Sequence, residues 1–127
     1  MDIIKMTDVK DLRCKFKDSK SLESRIAEST KIIEKYPDRV PIIVEICDDS
    51  TLKNIDKNKY LVPKDLTFSQ FLYIIRKRIK LDKSQSIFLM VNDTVCPSNT
   101  PISVVYDEHK NKDGFLYIIY ASENTFG

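Results

Sequence analysis

Glycine and histidine are scarce in this 127-residue chain, and each shortage excludes a class of site. The two glycines cannot build a glycine-rich loop that cradles a phosphate or a dinucleotide. The one histidine, His109, has no second histidine with which to form paired metal ligands. The three cysteines, Cys14, Cys47 and Cys96, are odd in number and far apart in the sequence. We therefore expect reduced structural thiols, and neither a cofactor nor a metal. These absences predict a protein that is not an enzyme.

Long hydrophobic runs and a large charge surplus are also missing. No stretch approaches the ~20 apolar residues of a membrane span, and the charges spread over residues 1–13 are not those of a signal peptide. With 21 basic and 19 acidic residues the net charge is +2, which is small for a protein whose main partner is nucleic acid. We therefore expect a cytoplasmic domain that binds no nucleic acid.

The first periodic segment is a helix that begins after Ser21, the expected N-cap. Its apolar residues Leu22, Ile26 and Ile33 fall on one helical stripe, which we expect to face the core. Pro37 ends this helix, because the residue before a proline resists helical geometry.

Two strands follow. Residues 39–47 alternate with period two, and a second short strand over 59–62 is closed by Pro63. The polar stretch between them is long enough to join an antiparallel pair. This order predicts that the second strand lies next to the first.

Residues 66–79 have the pattern of an amphipathic helix. Thr67 and Gln70 form a capping box at its start. We expect the following apolar residues to make its inward stripe: Phe68, Phe71, Leu72, Ile75 and Ile79.

The second half of the chain predicts a buried strand over 86–91 and a short helix from Pro101 to Glu108, capped by Thr100. Gly114 suits a tight turn before a last strand over 115–120. The order β, β, α, β, short α, β after a helical segment predicts an α+β protein, a ubiquitin-like β-grasp with an N-terminal helical extension. We expect a mobile extension over 1–13, one domain over 14–120 and a flexible tail over 121–127.

Several long motifs extend this fold-level analogy to a family. The stretches KYPDRVP, DKNKYLVPKDLT and QFLYIIRKRI, followed by VNDT, DGFLY and ENTFG, closely resemble the autophagy ubiquitin-like modifiers of the GABARAP and light chain 3 type. The resemblance runs from about Phe16 to Gly127. It departs near the N-terminus, where the chain has about ten additional residues and KSLESR replaces the usual proline-phenylalanine.

The resemblance implies a function for the polar tail. Members of that family are activated by thioester-forming enzymes and joined through a C-terminal glycine carboxylate to phosphatidylethanolamine. Gly127 would be the conjugated residue and Phe126 part of the tail that the enzymes recognise. The implied partners are activating and conjugating enzymes, a processing or deconjugating cysteine protease, cargo receptors and the phosphatidylethanolamine membrane. The implied location is the cytoplasm and, after lipidation, the autophagosome and vacuole membrane.

The resemblance also implies a groove for peptides of the form aromatic-x-x-aliphatic, which add as a strand beside the second β-strand. The pocket for the aromatic residue would contain Glu28, Ile32, Pro41, Lys59 and Phe115. The pocket for the aliphatic residue would contain Tyr60, Val62, Pro63, Leu66, Phe71 and Ile74. From the residues alone, the first set is more simply explained by a broad apolar face of the helix, and each residue of the second set could equally be core.

Other interpretations stay open at this stage. Arg76 and Arg78 favour a solvated, dipole-compensating end of a helix, although contact with enzymes or anionic lipid would use the same charges. The modifier could instead be attached to a protein lysine. The chain could also be a non-conjugated peptide-binding scaffold in membrane trafficking or at microtubules.

Overall fold

The computed structural model describes residues 15–47, 55, 57–81 and 85–122. The predicted extension over 1–13, as well as Phe126 and Gly127, lies outside the described residues. The described chain forms helices and strands in the order α1 (Phe16–Ser19), α2 (Leu22–Lys35), β1 (Arg39–Ile46), β2 (Lys59–Pro63), α3 (Phe68–Arg78), β3 (Ile87–Met90), α4 (Ile102–His109) and β4 (Leu116–Ser122).

The four strands form one mixed sheet in the order β2-β1-β4-β3. Strand β1 is antiparallel to β2 and parallel to β4, and β3 is antiparallel to β4. A parallel pair needs a long connection, and the connection between β1 and β4 contains β2, α3, β3 and α4. The α+β β-grasp order predicted from the sequence is therefore confirmed.

Most of the core lies between the sheet and helices α3 and α4. Phe71 and Ile75 of α3 and Ile102 of α4 are fully buried there. The predicted capping box is present: the Gln70 N–H donates to Thr67 Oγ1 at 3.2 Å, and the Thr67 N–H donates to Gln70 Oε1 at 2.9 Å. The inward stripe of α3 is also confirmed, with Leu72 only partly buried against the core.

The predicted inward stripe of α2 is wrong. Ile26 and Ile33 are 39% and 36% exposed, whereas Arg25 and Ser29 are the buried residues of this helix. The predicted N-cap is correct, since the Ser24 N–H donates to Ser21 Oγ. The inward face of α2 is thus partly polar, and its buried polar residues require polar partners beneath them.

Those partners lie in the turn before β4. Arg25 Nη1 is 2.6 Å from Asp113 Oδ2, and Ser29 Oγ donates to the carbonyl oxygen of Asp113 at 2.5 Å. The next residue, Gly114, has φ +93°, and a Cβ there would clash with Ser29 Oγ. The close approach of α2 to this turn therefore needs both a buried aspartate and a glycine.

Two predicted boundaries also change. The N-cap position of α4 is Pro101, not Thr100, because Pro101 has an extended backbone (ψ 143°) and no side chain caps the helix. The Thr100 carbonyl instead accepts the Phe68 N–H at the start of α3. Strand β4 begins at Leu116 and continues through Ala121 and Ser122, both buried, so the predicted tail over 121–127 begins two residues too early.

Candidate functional site

The outer edge of β2 is an unoccupied sheet edge within the described part of the chain. The Val44 N–H donates to the Asn58 carbonyl at 2.8 Å, and the register pairs Ile42 with Tyr60. Along an antiparallel ladder, residue pairs that exchange hydrogen bonds alternate with pairs that do not. Residues 58, 60 and 62 therefore form backbone hydrogen bonds with β1, whereas the N–H and C=O of Lys59 and Leu61 point away from it. An extended segment laid along β2 would meet these groups.

Beside this edge, under α1 and α2, lies a small aromatic cluster that contains two residues of the predicted aromatic pocket, Ile32 and Phe115. Its floor is Phe16, Ile43 and Phe115, each at least 96% buried, and Ile32 of α2 packs against it half-buried. The rings of Phe16 and Phe115 meet edge to face with centroids 5.2 Å apart. Sequence reasoning did not find Phe16, because a lone aromatic residue in a polar stretch has no periodicity.

Two charged residues of the predicted pocket, Glu28 and Lys59, form an ion pair beside this cluster. The Glu28 carboxylate binds Lys59 Nζ at 2.7 Å and Lys20 Nζ at 2.9 Å. Burial disfavours the charged carboxylate, but the two lysines outweigh it and lower the pKa of Glu28. Lys59 Nζ also lies 5.0 Å from the centroid of the Phe16 ring. The rim of the pocket is therefore positively charged around an aromatic floor.

Helix α1, which carries Phe16, is held by a buried acid. Glu45 Oε2 accepts the Phe16 N–H at 2.6 Å and so satisfies one of the unpaired donors at the start of the helix. Burial raises the pKa of Glu45; the Phe16 hydrogen bond and the charges of Lys15 and Lys17 only partly offset it. Glu45 therefore joins α1, and with it Phe16, to strand β1.

The raised pKa predicts a component of stability that decreases as pH rises. Between the pKa of an unfolded glutamate, about 4.3, and the higher folded pKa of Glu45, the folded state binds more protons than the unfolded state. The free energy of unfolding therefore falls as pH rises through this window. We expect wild type to lose stability relative to Glu45→Gln, which does not titrate, in urea melts between about pH 4 and 7. Parallel pH profiles of the two proteins would contradict this prediction.

The predicted aliphatic pocket divides into core residues and surface residues. Phe71, Val62 and Tyr60 are 0%, 5% and 8% exposed, and the Tyr60 and Phe71 rings meet edge to face at 5.7 Å. Pro63 is exposed, Leu66 is partly buried and Ile74 is 36% exposed. Only Pro63, Leu66 and Ile74 have enough exposed surface to line a pocket. The buried residues Phe71, Val62 and Tyr60 support that surface from beneath.

The two predicted pockets lie on opposite faces of the sheet. The residue next to Tyr60 in β2, Lys59, lies over Phe16 on the α1 and α2 face, whereas Tyr60 packs against Phe71 of α3 on the other face. Leu61 points to the side opposite Tyr60, is partly buried and pairs with Pro41. Pro41 is itself buried within β1. The open edge of β2 is thus flanked by one apolar patch on each side.

The basic end of α3 is separate from this edge. Arg76 Nη1 donates to the Gln85 carbonyl at 2.9 Å, and Lys77 Nζ lies 4.7 Å from the centroid of the exposed Tyr73 ring. The three basic residues of the last turn of α3, from Arg76 to Arg78, suit the negative end of the helix dipole. Contact of Arg76 and Arg78 with enzymes or lipid stays a prediction.

The mixed sheet, its crossover helix and the N-terminal helices together define a ubiquitin-like fold. The crystal structure of Trypanosoma brucei ATG8 matches it with a TM-score of 0.83 and 43% sequence identity, over 89% of this chain and 97% of that chain. A family model described as "Autophagy protein Atg8 ubiquitin like" matches residues 24–127. The chain belongs to this family of autophagy ubiquitin-like modifiers.

Curated relatives span nearly the same length. Autophagy-related protein 8 of Schizosaccharomyces pombe is 53% identical over 116 residues, which cover 91% of this chain and 96% of that protein. Autophagy-related protein 8a of Arabidopsis thaliana is 54% identical over 112 residues, covering 88% and 92%. The family predicted from the sequence motifs is confirmed. Within the described residues, no helix is both long enough and apolar enough to span a bilayer.

Proposed function

We propose that this chain is conjugated through the Gly127 carboxylate to phosphatidylethanolamine and, on autophagosomal membranes, supports membrane growth and recruits cargo receptors. The observation that carries the recruiting role is the open edge of β2 between two apolar patches. Support for conjugation comes from the family match, which extends to residue 127. In this proposal the chain is the substrate of its enzymes and catalyses nothing itself.

The proposed conjugation is an acyl transfer. ATP first converts the Gly127 carboxylate to an acyl-adenylate and releases pyrophosphate. An enzyme cysteine then displaces AMP, which carries away the carboxylate oxygen, and gives a thioester. The lipid amine then attacks the thioester carbon, an amide bond forms, and the cysteine leaves as the thiol after the amine loses a proton. A glycine lacks a Cβ, so its carbonyl carbon is open to attack.

The geometry of β2 supports ligands with the aromatic-x-x-aliphatic spacing. Residues three apart in an extended strand point to opposite faces. A peptide paired with β2 would place its aromatic residue on the Phe16 and Phe115 side and its aliphatic residue near Leu66 and Ile74. Main-chain bonds to Lys59 and Leu61 would supply affinity, and the two patches would supply specificity.

Reconstitution tests the conjugation. Purified chain is incubated with the activating and conjugating enzymes of its own source, ATP and phosphatidylethanolamine liposomes, and intact mass is measured for wild type and Gly127→Ala. We expect a lipid adduct on wild type only. An adduct on a protein lysine would favour the alternative modifier, and an unmodified wild type would leave the non-conjugated scaffold as the better hypothesis.

The peptide edge makes a backbone-specific prediction. Leu61→Pro removes an N–H that points away from β1, at an edge position where proline is tolerated. We expect it to bind a Trp-x-x-Leu peptide about fivefold more weakly than Leu61→Ala, because one hydrogen bond contributes about 1 kcal/mol. Calorimetry gives the affinities, and matched thermal melts confirm that both variants are folded. Equal affinities of the two variants would argue against strand addition at β2.

A further inference from the structure

A cavity of about 250 Å³ opens where the C-terminal end of α2, the first residues of β1 and helix α4 meet. Its apolar lining includes Ile33, Val40 and Tyr106. Val40 is 1% exposed, but Ile33 is 36% exposed, so the cavity presents uncovered apolar surface to solvent. Neither predicted peptide pocket includes these residues.

The rim of this cavity is cationic. Arg39, Lys64 and Lys110 line it with a single carboxylate, that of Asp107. All four are exposed, and no ion pair involves any of the three cations within the described part of the chain. Lys110 Nζ instead lies 5.3 Å from the centroid of the Tyr106 ring. An anionic group entering the cavity would meet three cations and one acid.

The cavity continues the edge of β2. Arg39 pairs with Pro63 in the strand register, and the Lys64 N–H donates to the Asp38 carbonyl at 3.2 Å. The proposed aromatic pocket lies by Lys59 and the aliphatic one by Pro63, so a bound peptide would run parallel to β2 and leave the groove at Pro63. Its next residues would pass Lys64 and reach the cavity.

We propose that this cavity is a third subsite of the groove, which takes a glutamate located about two to four residues after the aliphatic anchor, at a rise of about 3.3 Å per residue. The carboxylate would lie among Arg39, Lys64 and Lys110, and its methylene groups would pack against the exposed side chain of Ile33. This subsite rests on the peptide-binding function proposed above. It would favour receptors whose motif is followed by an acidic segment.

Two synthetic peptides test the subsite. Both contain Trp-x-x-Leu and a three-residue extension that carries either glutamates or the isosteric glutamines. We expect wild type to bind the glutamate peptide about three- to tenfold more tightly at low salt, and the difference to shrink at high salt. Lys110→Glu should abolish this difference without weakening the glutamine peptide. Lys77→Glu, on α3 and outside the cavity, makes the same change of net charge and should preserve it.

The outcomes separate this inference from the proposed function. Tight binding of both peptides by wild type with no preference for glutamate would overturn the subsite and leave the groove intact. A glutamate preference that survives in Lys110→Glu, or that is equally lost in Lys77→Glu, would also overturn it, since the effect would then be one of net charge. No binding of either peptide would refute the peptide-binding function and the subsite together.

Discussion

Replacing Asp113 by alanine is expected to lower the free energy of unfolding by about 3–5 kcal/mol. The Asp113 side chain is fully buried. Its Oδ2 accepts hydrogen bonds from Arg25 Nη1 and from the Tyr117 hydroxyl, both at 2.6 Å, and its Oδ1 accepts the Phe115 N–H at 2.9 Å. The substitution would leave a buried cation, a hydroxyl and an amide without their acceptor, and such groups cost more than the bonds themselves contribute.

Urea denaturation followed by circular dichroism measures this effect. Asp107→Ala is the matched control, because Asp107 is an exposed aspartate on α4 and its loss should change stability by about 0.5 kcal/mol or less. Equal destabilisation by the two substitutions would show that the buried network is not what holds α2. Titration of the Tyr117 hydroxyl is a second measurement, because burial and its hydrogen bond to Asp113 raise the pKa of this group. In Asp113→Ala the phenol should ionise at lower pH.

The same network links stability to the aromatic pocket. Helix α2 carries Glu28 and Ile32, and the described contacts between α2 and the turn before β4 run through Arg25, Ser29 and Asp113. Loss of Asp113 should therefore loosen the helix that forms one wall of the pocket. We expect weaker peptide binding even in conditions under which the variant stays folded.

The face of α2 could not be predicted from hydrophobic periodicity, and the reason is physical. Periodicity assumes that the buried side of a helix is its apolar side. Here the carboxylate of Asp113, 88 residues after Arg25, stabilises a polar residue on the inward face of the helix. A residue so distant in sequence leaves no local pattern. The spacing of Arg25 and Ser29, four apart on one face, is the only local sign.

Helix α3 was predictable because its determinants are local. Thr67 and Gln70 cap each other within one turn, and the apolar stripe meets an apolar sheet. The candidate site could be predicted from the sequence only in part. The family motifs identified Glu28 and Lys59, which do form an ion pair. They could not reveal that Glu45 holds α1, because the buried bond joins residues 29 positions apart.

Phe71 and Ile74 distinguish core from pocket among the predicted site residues. Both lie on α3, three residues apart, but Phe71 is fully buried and Ile74 is 36% exposed. We expect Phe71→Ala to lower the free energy of unfolding by about 3–5 kcal/mol, through lost burial and the cavity that it leaves. Against a typical total of about 5–15 kcal/mol, this loss would leave the variant close to unfolding. Ile74→Ala should cost about 1 kcal/mol or less, because much of its side chain is already in water.

The two substitutions should rank in the opposite order for peptide affinity: Ile74→Ala should weaken binding more than Phe71→Ala when the affinity is calculated for the folded fraction alone. Urea melts give the fraction folded, and calorimetry with a Trp-x-x-Leu peptide gives the affinity of that fraction. Because Ile74 lies at the proposed aliphatic pocket, Ile74→Ala should weaken binding about five- to tenfold, the effect of losing about 1 kcal/mol or slightly more of apolar burial in the complex. Unchanged affinity in Ile74→Ala would remove this residue from the groove. If the smaller folded fraction of Phe71→Ala accounts for its whole loss of apparent affinity, Phe71 acts only in the core. There it supports Tyr60 and the strand edge from beneath.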